Sequence, residues 1–409
     1  MNIPCLKCKG STPMKSCGRM FCPIIAKSNA MSKVAEFKQN FFGSSPAPFV
    51  GHNMYPNVFV GILSPNEPKM DVELYDAPSH WAGNNYQIQE IVNIRSTLVN
   101  SRFKSNIKDQ SKFLEIGKEI GMASRPVDVE INLKSKPYFK LNSDPYNAPM
   151  GPNATLDNAK ITGNPTVDTR VEKVVSDTDL KANNALTYLF GKGFNENFLT
   201  KLLSMGNLGI KKSRRLVPTR WSITATDDAL SKHLLDKVKN YSESDYVVYF
   251  GNYLGNYFMV MFFPEVWSYE LFEMYAPKAE WNTSSTFQHM TDYEGYNGRK
   301  TYADNCGGGY YAARLPIVEK LEKVKRQSSV LVLRFITGEY AAPLGVWVVR
   351  ETMRKTLANS PMQFASKEVM ISYVVKLVKS KFNYNVENLL KESVLLNNIK
   401  IQQKLTKFL

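Results

Sequence analysis

The sequence is poor in the residues that many enzymes place at the centre of their chemistry. Histidine occurs four times in 409 residues, as His52, His80, His233 and His289. Nothing supports a histidine-based metal site, and each is read as a structural or surface residue. A Gly-x-Ser-x-Gly nucleophile elbow and a dinucleotide-binding glycine fingerprint are both missing. The stretch Gly206-Asn207-Leu208-Gly209-Ile210-Lys211-Lys212-Ser213 imitates a phosphate-binding loop but has the wrong spacing. Apolar runs around 257–263 and 341–349 are broken by Pro264 and Pro343, short of a membrane span. No cationic start leads into an apolar stretch and a cleavage site. The expectation is a cytoplasmic protein with no membrane partner.

Acidic residues are missing from three stretches. None precedes Glu36, where Lys7, Lys9, Lys15, Arg19, Lys27 and Lys33 stand. None lies between Glu196 and Asp227, where Lys201, Lys211, Lys212, Arg214, Arg215 and Arg220 stand. After Glu392 come Lys400, Lys404 and Lys407 alone. These stretches carry the whole formal net charge of +15. Clustered cations gain affinity for a polyanion by releasing counterions from its phosphates, so a nucleic-acid partner is inferred. The plainer alternative is that basic tails keep the protein soluble.

Four of the five cysteines fall near the start, as Cys5-x2-Cys8-x8-Cys17-x4-Cys22. Four thiolates in a short, basic, glycine-punctuated segment match a tetrahedral zinc site, whose metal would supply the folding energy that few apolar side chains can. Disulfides would need an oxidising compartment, and an iron–sulfur cluster would use the same ligands. Cys306 stands alone and is read as a packed thiol.

With 43% hydrophobic and 22% charged residues, the chain is that of a folded protein with a sizeable core. The zinc module is placed at 1–25 and a connector with a short helical piece at 26–47. An N-terminal α/β region follows at 48–165, a central and C-terminal α+β region at 166–385, and a helix with a terminal peptide at 386–409. Val127, Val129, Ile131 and Leu133 alternate with Asp128 and Glu130, which predicts a half-buried strand. Short strands interrupted by turns are expected over 49–61, a loop at 76–81, a helix at 88–99, and a long loop or domain join at 142–165. Helical spacing recurs from Ala185 to Leu203. A helix over 229–240 would carry Asp227 and Asp228 in its first turn. A hairpin is predicted over 246–263, strands over 328–337 and 345–350, and helices over 366–378 and 386–399. Consecutive strands with short joins argue for an α+β fold with a mixed, substantially antiparallel sheet and flanking helices.

Three features carry candidate chemistry. Arg214, Arg215, Arg220 and Trp221 in the central basic run, with Arg299 and Lys300 further on, are candidates for gripping phosphates and stacking on bases. Asp227, Asp228, Glu265, Asp292 and Glu294 are weak candidates for catalysis, which would bring in Mg²⁺; the same carboxylates could form a buried ion-pair network. At the end, Gln402-x-x-Leu405-x-x-Phe408-Leu409 has the spacing of a clamp-binding peptide. One turn of tight helix would bring Leu405 and Phe408 onto one face to fill an apolar pocket, with Gln402 in a polar one. Leu409 stands where a second aromatic is usual.

Cys5-Leu6-Lys7-Cys8 with Cys17-Gly18-Arg19-x-x-Cys22-Pro23 resembles the N-terminal cysteine motif of the archaeal Nre DNA repair proteins. Arg215–Ser222, Phe263–Glu270 and Gly298–Tyr302 are similar to further motifs of that family, and the resemblance runs along nearly all the chain. It implies a role in DNA damage repair with the DNA sliding clamp as partner and a nucleoid-associated location. It supplies no reaction and no catalytic residue. The leading expectation is a DNA-binding repair protein tethered to the clamp by its tail. The alternatives are a metal-dependent, nuclease-like or nucleotide-processing enzyme and an RNA-associated zinc protein.

Overall fold

The alternating stretch at 127–133 forms a strand, as its period of two predicts, and lies in one of two six-stranded sheets. The structure, a computed structural model, describes residues 11, 22–32, 37–138, 150–277, 279 and 281–401. The architecture is α+β, with two mixed sheets and flanking helices. The chain divides into two units, Met1–Leu230 with Ala341–Gly345 and Ser231–Tyr340 with Val346–Leu409. Cys5, Cys8, Cys17 and the terminal peptide with Gln402, Leu405, Phe408 and Leu409 lie outside the described residues.

The first unit holds β1 (Asn40–Ser45), β2 (Ala47–Val50), β3 (Asn57–Pro65), β4 (Leu98–Asn106), β5 (Val127–Leu133) and β6 (Asn153–Ile161). Their order is β1-β5-β6-β4-β3-β2, with β4 and β6 parallel and the other neighbours antiparallel. Alternate residues Val58, Val60, Ile62, Val99, Phe103, Val129 and Ile131 point to one face. There they meet Leu114, Ile116 and Ile120 of the helix Lys112–Met122, whose first turn is capped by Ser111. Each such side chain contributes roughly 1.5–3 kcal/mol by leaving water.

Three local expectations are corrected here. β6 occupies the middle of the presumed loop at 142–165: Ala154, Leu156 and Ala159 are buried while Thr155, Asp157 and Lys160 are exposed, an alternation hidden by the Asn and Asp content. β1 begins inside the presumed connector, at Asn40. The presumed loop at 76–81 includes the short helix Pro78–Gly83, whose proline sits where a missing N–H costs nothing.

The second unit holds β7 (Tyr246–Tyr253), β8 (Asn256–Phe263), β9 (Ser268–Tyr275), β10 (Gln288–Glu294), β11 (Ser329–Ile336) and β12 (Met362–Phe364). Their order is β10-β9-β11-β8-β7-β12, with β9 and β11 parallel. One face is apolar: Met259, Met261, Phe263, Phe272, Met274, Leu331, Leu333 and Phe335 pack against Met370, Val374 and Val378 of the helix Lys367–Phe382 and against Leu389, Leu390, Leu395 and Leu396. The opposite face carries buried charge and aromatic rings under the helix Gly308–Val324. The expected strand at 345–350 is instead the start of the helix Trp347–Ala358, where tertiary packing overrides the β preference of two adjacent valines. The helix expected over 229–240 runs from Thr219 to Val238, so Asp227 and Asp228 sit in its interior and not in its first turn. Among the described residues no helix is long and apolar enough to cross a membrane.

One buried carboxylate stands out on the apolar face. Glu270 accepts hydrogen bonds from the Ser393 hydroxyl, from the Val394 N–H at 3.0 Å and from the Leu395 N–H at 3.0 Å. It thereby satisfies the open donors at the start of the helix Val394–Ile401. Burial raises its carboxyl pKa above the ordinary value, against the pull of these donors. Glu270→Ala is expected to cost about 2–4 kcal/mol, by analogy with other losses of buried charged partners, and to speed amide exchange at 394–401; unaltered exchange would contradict the capping role. Because the folded-state pKa is raised, protonation of Glu270 favours folding at low pH, and that contribution is lost as the group ionises on raising the pH through the folded pKa. The stability of the wild type relative to Glu270→Gln should therefore grow as pH falls towards the ordinary carboxylate range, as urea unfolding at several pH values would report.

Candidate nucleic-acid interface

The basic run at 214–222 starts as an extended strap and ends in the first turn of the helix Thr219–Val238. The strap is held by its backbone: the Leu216 N–H donates to the Ile107 carbonyl (2.8 Å) and the Val217 N–H to that of Ser204 (2.9 Å). Ser204 Oγ donates to the Val217 carbonyl at 2.8 Å and lies 3.1 Å from Thr219 Oγ1. Thr219 Oγ1 also accepts from the Val50 N–H at 2.9 Å. Pro218 turns the chain, and its carbonyl receives the N–H groups of Trp221 (2.8 Å) and Ser222 (2.9 Å). Gly206, at φ +69°, passes directly behind: a Cβ there would stand 2.7 Å from the Arg215 carbonyl oxygen.

This anchoring sorts the six cations between Glu196 and Asp227. Lys201 turns inward to the Pro46 carbonyl at 3.2 Å, and burial pushes its pKa down against the pull of Asp76. Arg214 spends its guanidinium on three carbonyls, those of Gly209 (2.7 Å), Val175 (2.7 Å) and Asp177 (2.8 Å). Lys211, Lys212, Arg215 and Arg220 are exposed. A shallow groove of about 210 Å³ has Lys181, Ser213 and Arg215 on its walls and Leu203, Leu208, Ile210 and Val217 among its lining. Trp221 is 45% exposed and meets Tyr55, 43% exposed, with ring centroids 5.0 Å apart. Tyr55 was not singled out from sequence; its only signal is an aromatic side chain in the polar turn between two strands. Arg102 and Lys104 flank Phe59 on the same unit, with the guanidinium 4.7 Å and the ammonium 5.6 Å from the ring centroid.

The second unit treats its charges differently. Glu294 pairs with Arg314 at 2.7 Å and accepts from the Trp267 indole N–H at 3.2 Å. Asp292 pairs with Arg299 at 3.1 Å and accepts from the Cys306 N–H at 2.8 Å. Glu273 pairs with Arg334, which also donates to Asn256 Oδ1 at 2.6 Å. Gly309 makes room for this pair, since a Cβ would fall 2.4 Å from Glu273 Oε1. Tyr269 and Tyr310 lie against this network, and burial drives their phenol pKa values well up, so both act as neutral groups. Cys306 is a packed thiol, as expected, with burial raising its pKa.

Asp292 and Glu294 therefore each have their own arginine, and a divalent cation would have to displace one. Arg299 also donates to the carbonyls of Tyr293 (2.8 Å) and Tyr302 (3.0 Å), whereas Lys300 is exposed. Glu265 is half-buried beside this network's strands. Asp227 is buried and Asp228 half-buried in the first unit. Among the described residues no group of three or more His, Cys, Asp or Glu side chains is placed to hold a metal ion. Of the cysteine set only Cys22 is described, half-buried and in no disulfide with another described residue.

The comparisons with known proteins agree along the chain. The family described as Archaeal Nre, N-terminal matches residues 16–282, and Archaeal Nre, C-terminal matches residues 294–408. DNA repair protein NreA of Haloferax volcanii is 38% identical over 76% of this chain and 76% of its own length. In Archaeoglobus fulgidus, DNA repair protein NreA is 35% identical over 93% of this chain and 95% of its own length. DNA repair protein NreB of the same organism is 34% identical over 91% and 93%. No solved structure matches the chain.

The two kinds of arginine differ in what their removal should do. Arg334→Ala strands Glu273 in the core and is expected to cost about 3–5 kcal/mol. Arg215→Ala should change stability by less than about 0.5 kcal/mol, as an exposed side chain does. Chemical denaturation of both variants distinguishes them, and similar losses would refute the division into structural and surface-facing cations.

Proposed function

Because the chain belongs to the archaeal Nre family, whose relatives are named DNA repair proteins, we propose that it is a DNA repair protein that holds DNA on its first unit and is recruited to the DNA sliding clamp by residues 402–409. The observation that carries the DNA reading is the exposure of Lys211, Lys212 and Arg215 within a stretch that has no acidic residue between Glu196 and Asp227. Cations left facing water in this way gain most by meeting phosphates. The spacing of Gln402, Leu405, Phe408 and Leu409 supports the clamp as the recruiting partner. A Mg²⁺-dependent enzyme is the weaker reading, because Asp292 and Glu294 are already neutralised by arginine.

Cys5, Cys8, Cys17 and Cys22 are the residues that would hold zinc. Four thiolates are a donor set that fits a closed tetrahedral site, and Lys7, Lys9, Lys15 and Arg19 offset its negative charge. Zinc would supply folding energy to this module and no step of a reaction.

Three measurements test the proposal. Removing residues 402–409 should abolish clamp binding while leaving the melting temperature unchanged, and undiminished clamp affinity would refute recruitment through the tail. Arg215→Ala should weaken DNA binding and lower the slope of log K against log salt by about 1. Elemental analysis should find one zinc per chain, lost when the four cysteines become serine; iron in its place would reassign the site.

A further inference from the structure

We propose that Tyr55 and Trp221 form a base-stacking platform for an unpaired nucleotide, so that the first unit prefers single-stranded or locally opened DNA to intact duplex. The inference rests on the DNA-binding reading above and adds the kind of DNA recognised.

Two of the chain's five tryptophans are put to structural use. Trp81 and Trp267 are buried, and their indole N–H groups donate to the Leu74 carbonyl at 2.6 Å and to Glu294 at 3.2 Å. Trp221 departs from that pattern. It is 45% exposed, and among the described residues its indole N–H has no hydrogen-bond partner. Among the described residues its one ring contact is Tyr55, tilted by 57° and itself 43% exposed. Met54, 58% exposed, adds apolar surface beside Tyr55.

The pair is held in place by the strap. Tyr55 sits in the turn between β2 and β3, and Trp221 in the first turn of the helix Thr219–Val238. The Val50 N–H bond to Thr219 Oγ1 at 2.9 Å ties the end of β2 to the start of that helix. The bond from the Trp221 N–H to the Pro218 carbonyl at 2.8 Å sets where the indole emerges. Two rings fixed in advance lose little freedom on binding.

Bases of an intact duplex cover one another's faces, so an indole can stack only on a base that has left the stack or never joined one. Such stacking tolerates any sequence, because every base has a π-face. Phosphates on either side of that base would meet Arg215, which makes no ion pair or side-chain hydrogen bond among the described residues, and the exposed Lys211 and Lys212. Tyr, Trp and Arg together also mark protein–protein hot spots. The lack of any acidic residue between Glu196 and Asp227 favours a polyanion over an ordinary protein surface of mixed charge.

The test uses the full chain with oligothymidylate, a duplex of equal length and the same duplex carrying a short gap, at matched salt. Trp221→Ala and Tyr55→Ala should each weaken single-strand and gapped binding roughly 5- to 100-fold. Duplex affinity should stay within about twofold, and the salt dependence should be unchanged, because stacking releases no counterions. Tyr55→Phe should keep most of the affinity, which separates stacking from loss of fold. Arg215→Ala should weaken all three ligands and flatten the salt dependence. Single-strand affinity unchanged in both alanine variants would overturn the platform while leaving the DNA-binding reading intact. Loss of binding to an acidic protein with DNA affinity preserved would overturn it in favour of a protein interface. Failure of the wild type to bind any of the DNAs would instead overturn the underlying reading, and this inference with it.

Discussion

The exposed face of the first unit depends on how one hydroxyl is used. Thr219 Oγ1 accepts from the Val50 N–H and shares a hydrogen bond with Ser204 Oγ, which itself donates to the Val217 carbonyl. These bonds join an edge strand, a helix end and the strap in one small network. A buried backbone group left without a partner costs about as much as a lost hydrogen bond, so the strap has little freedom to shift. Given that constraint, the placing of side chains along the strap follows. Arg214 falls among three carbonyls, Leu216 falls into the core, and Arg215 falls outside. The glycine at 206 is the steric counterpart, since any side chain there would push the Arg215 backbone away.

In the second unit a different rule governs charge. Glu273, Asp292 and Glu294 are each buried beside an arginine, and Glu270 is satisfied by a helix start. Burying a charge is expensive unless it is paired and hydrogen-bonded, and here each cost is met locally. Asp292 and Glu294, which stand out in the sequence as candidates for chemistry, are thereby each held by an arginine. The same rule gives the family motifs different meanings. In Phe263–Glu270, Trp267 and Glu270 are held inside by hydrogen bonds. In Arg215–Ser222, the arginine and the tryptophan are left facing water.

Much of the secondary structure was legible in the sequence. The strand at 127–133, the hairpin at 246–263, the helices from Ala185 onward and the strand at 328–337 all follow from periodicity and turn residues. Errors arose where composition and context disagreed. β6 is rich in Asn and Asp, which signal loops, yet Ala154 and Leu156 alternate as a strand requires, and a register shift at Asp157 returns Ala159 to the buried face. Val348 and Val349 favour a strand locally but are buried in a helix. The helix at 219–238 starts ten residues before the sequence suggested, because Pro218 and Thr219 supply a start signal that the basic residues obscured.

What the sequence determined by itself was the family motifs, the uneven placing of charge and the cysteine and tail spacings, since these are properties of order along the chain. Only the tertiary structure decided which cations remain available to a partner. Whether a guanidinium is spent depends on carbonyls brought to it from elsewhere: Val175 and Asp177 reach Arg214, while Arg215, one residue on, meets none among the described residues. The same holds for Trp221, whose neighbour Tyr55 lies 166 positions away in sequence and 5.0 Å away in space. No local pattern encodes such meetings, because they are set by how strands and helices from distant parts of the chain satisfy one another's polar groups.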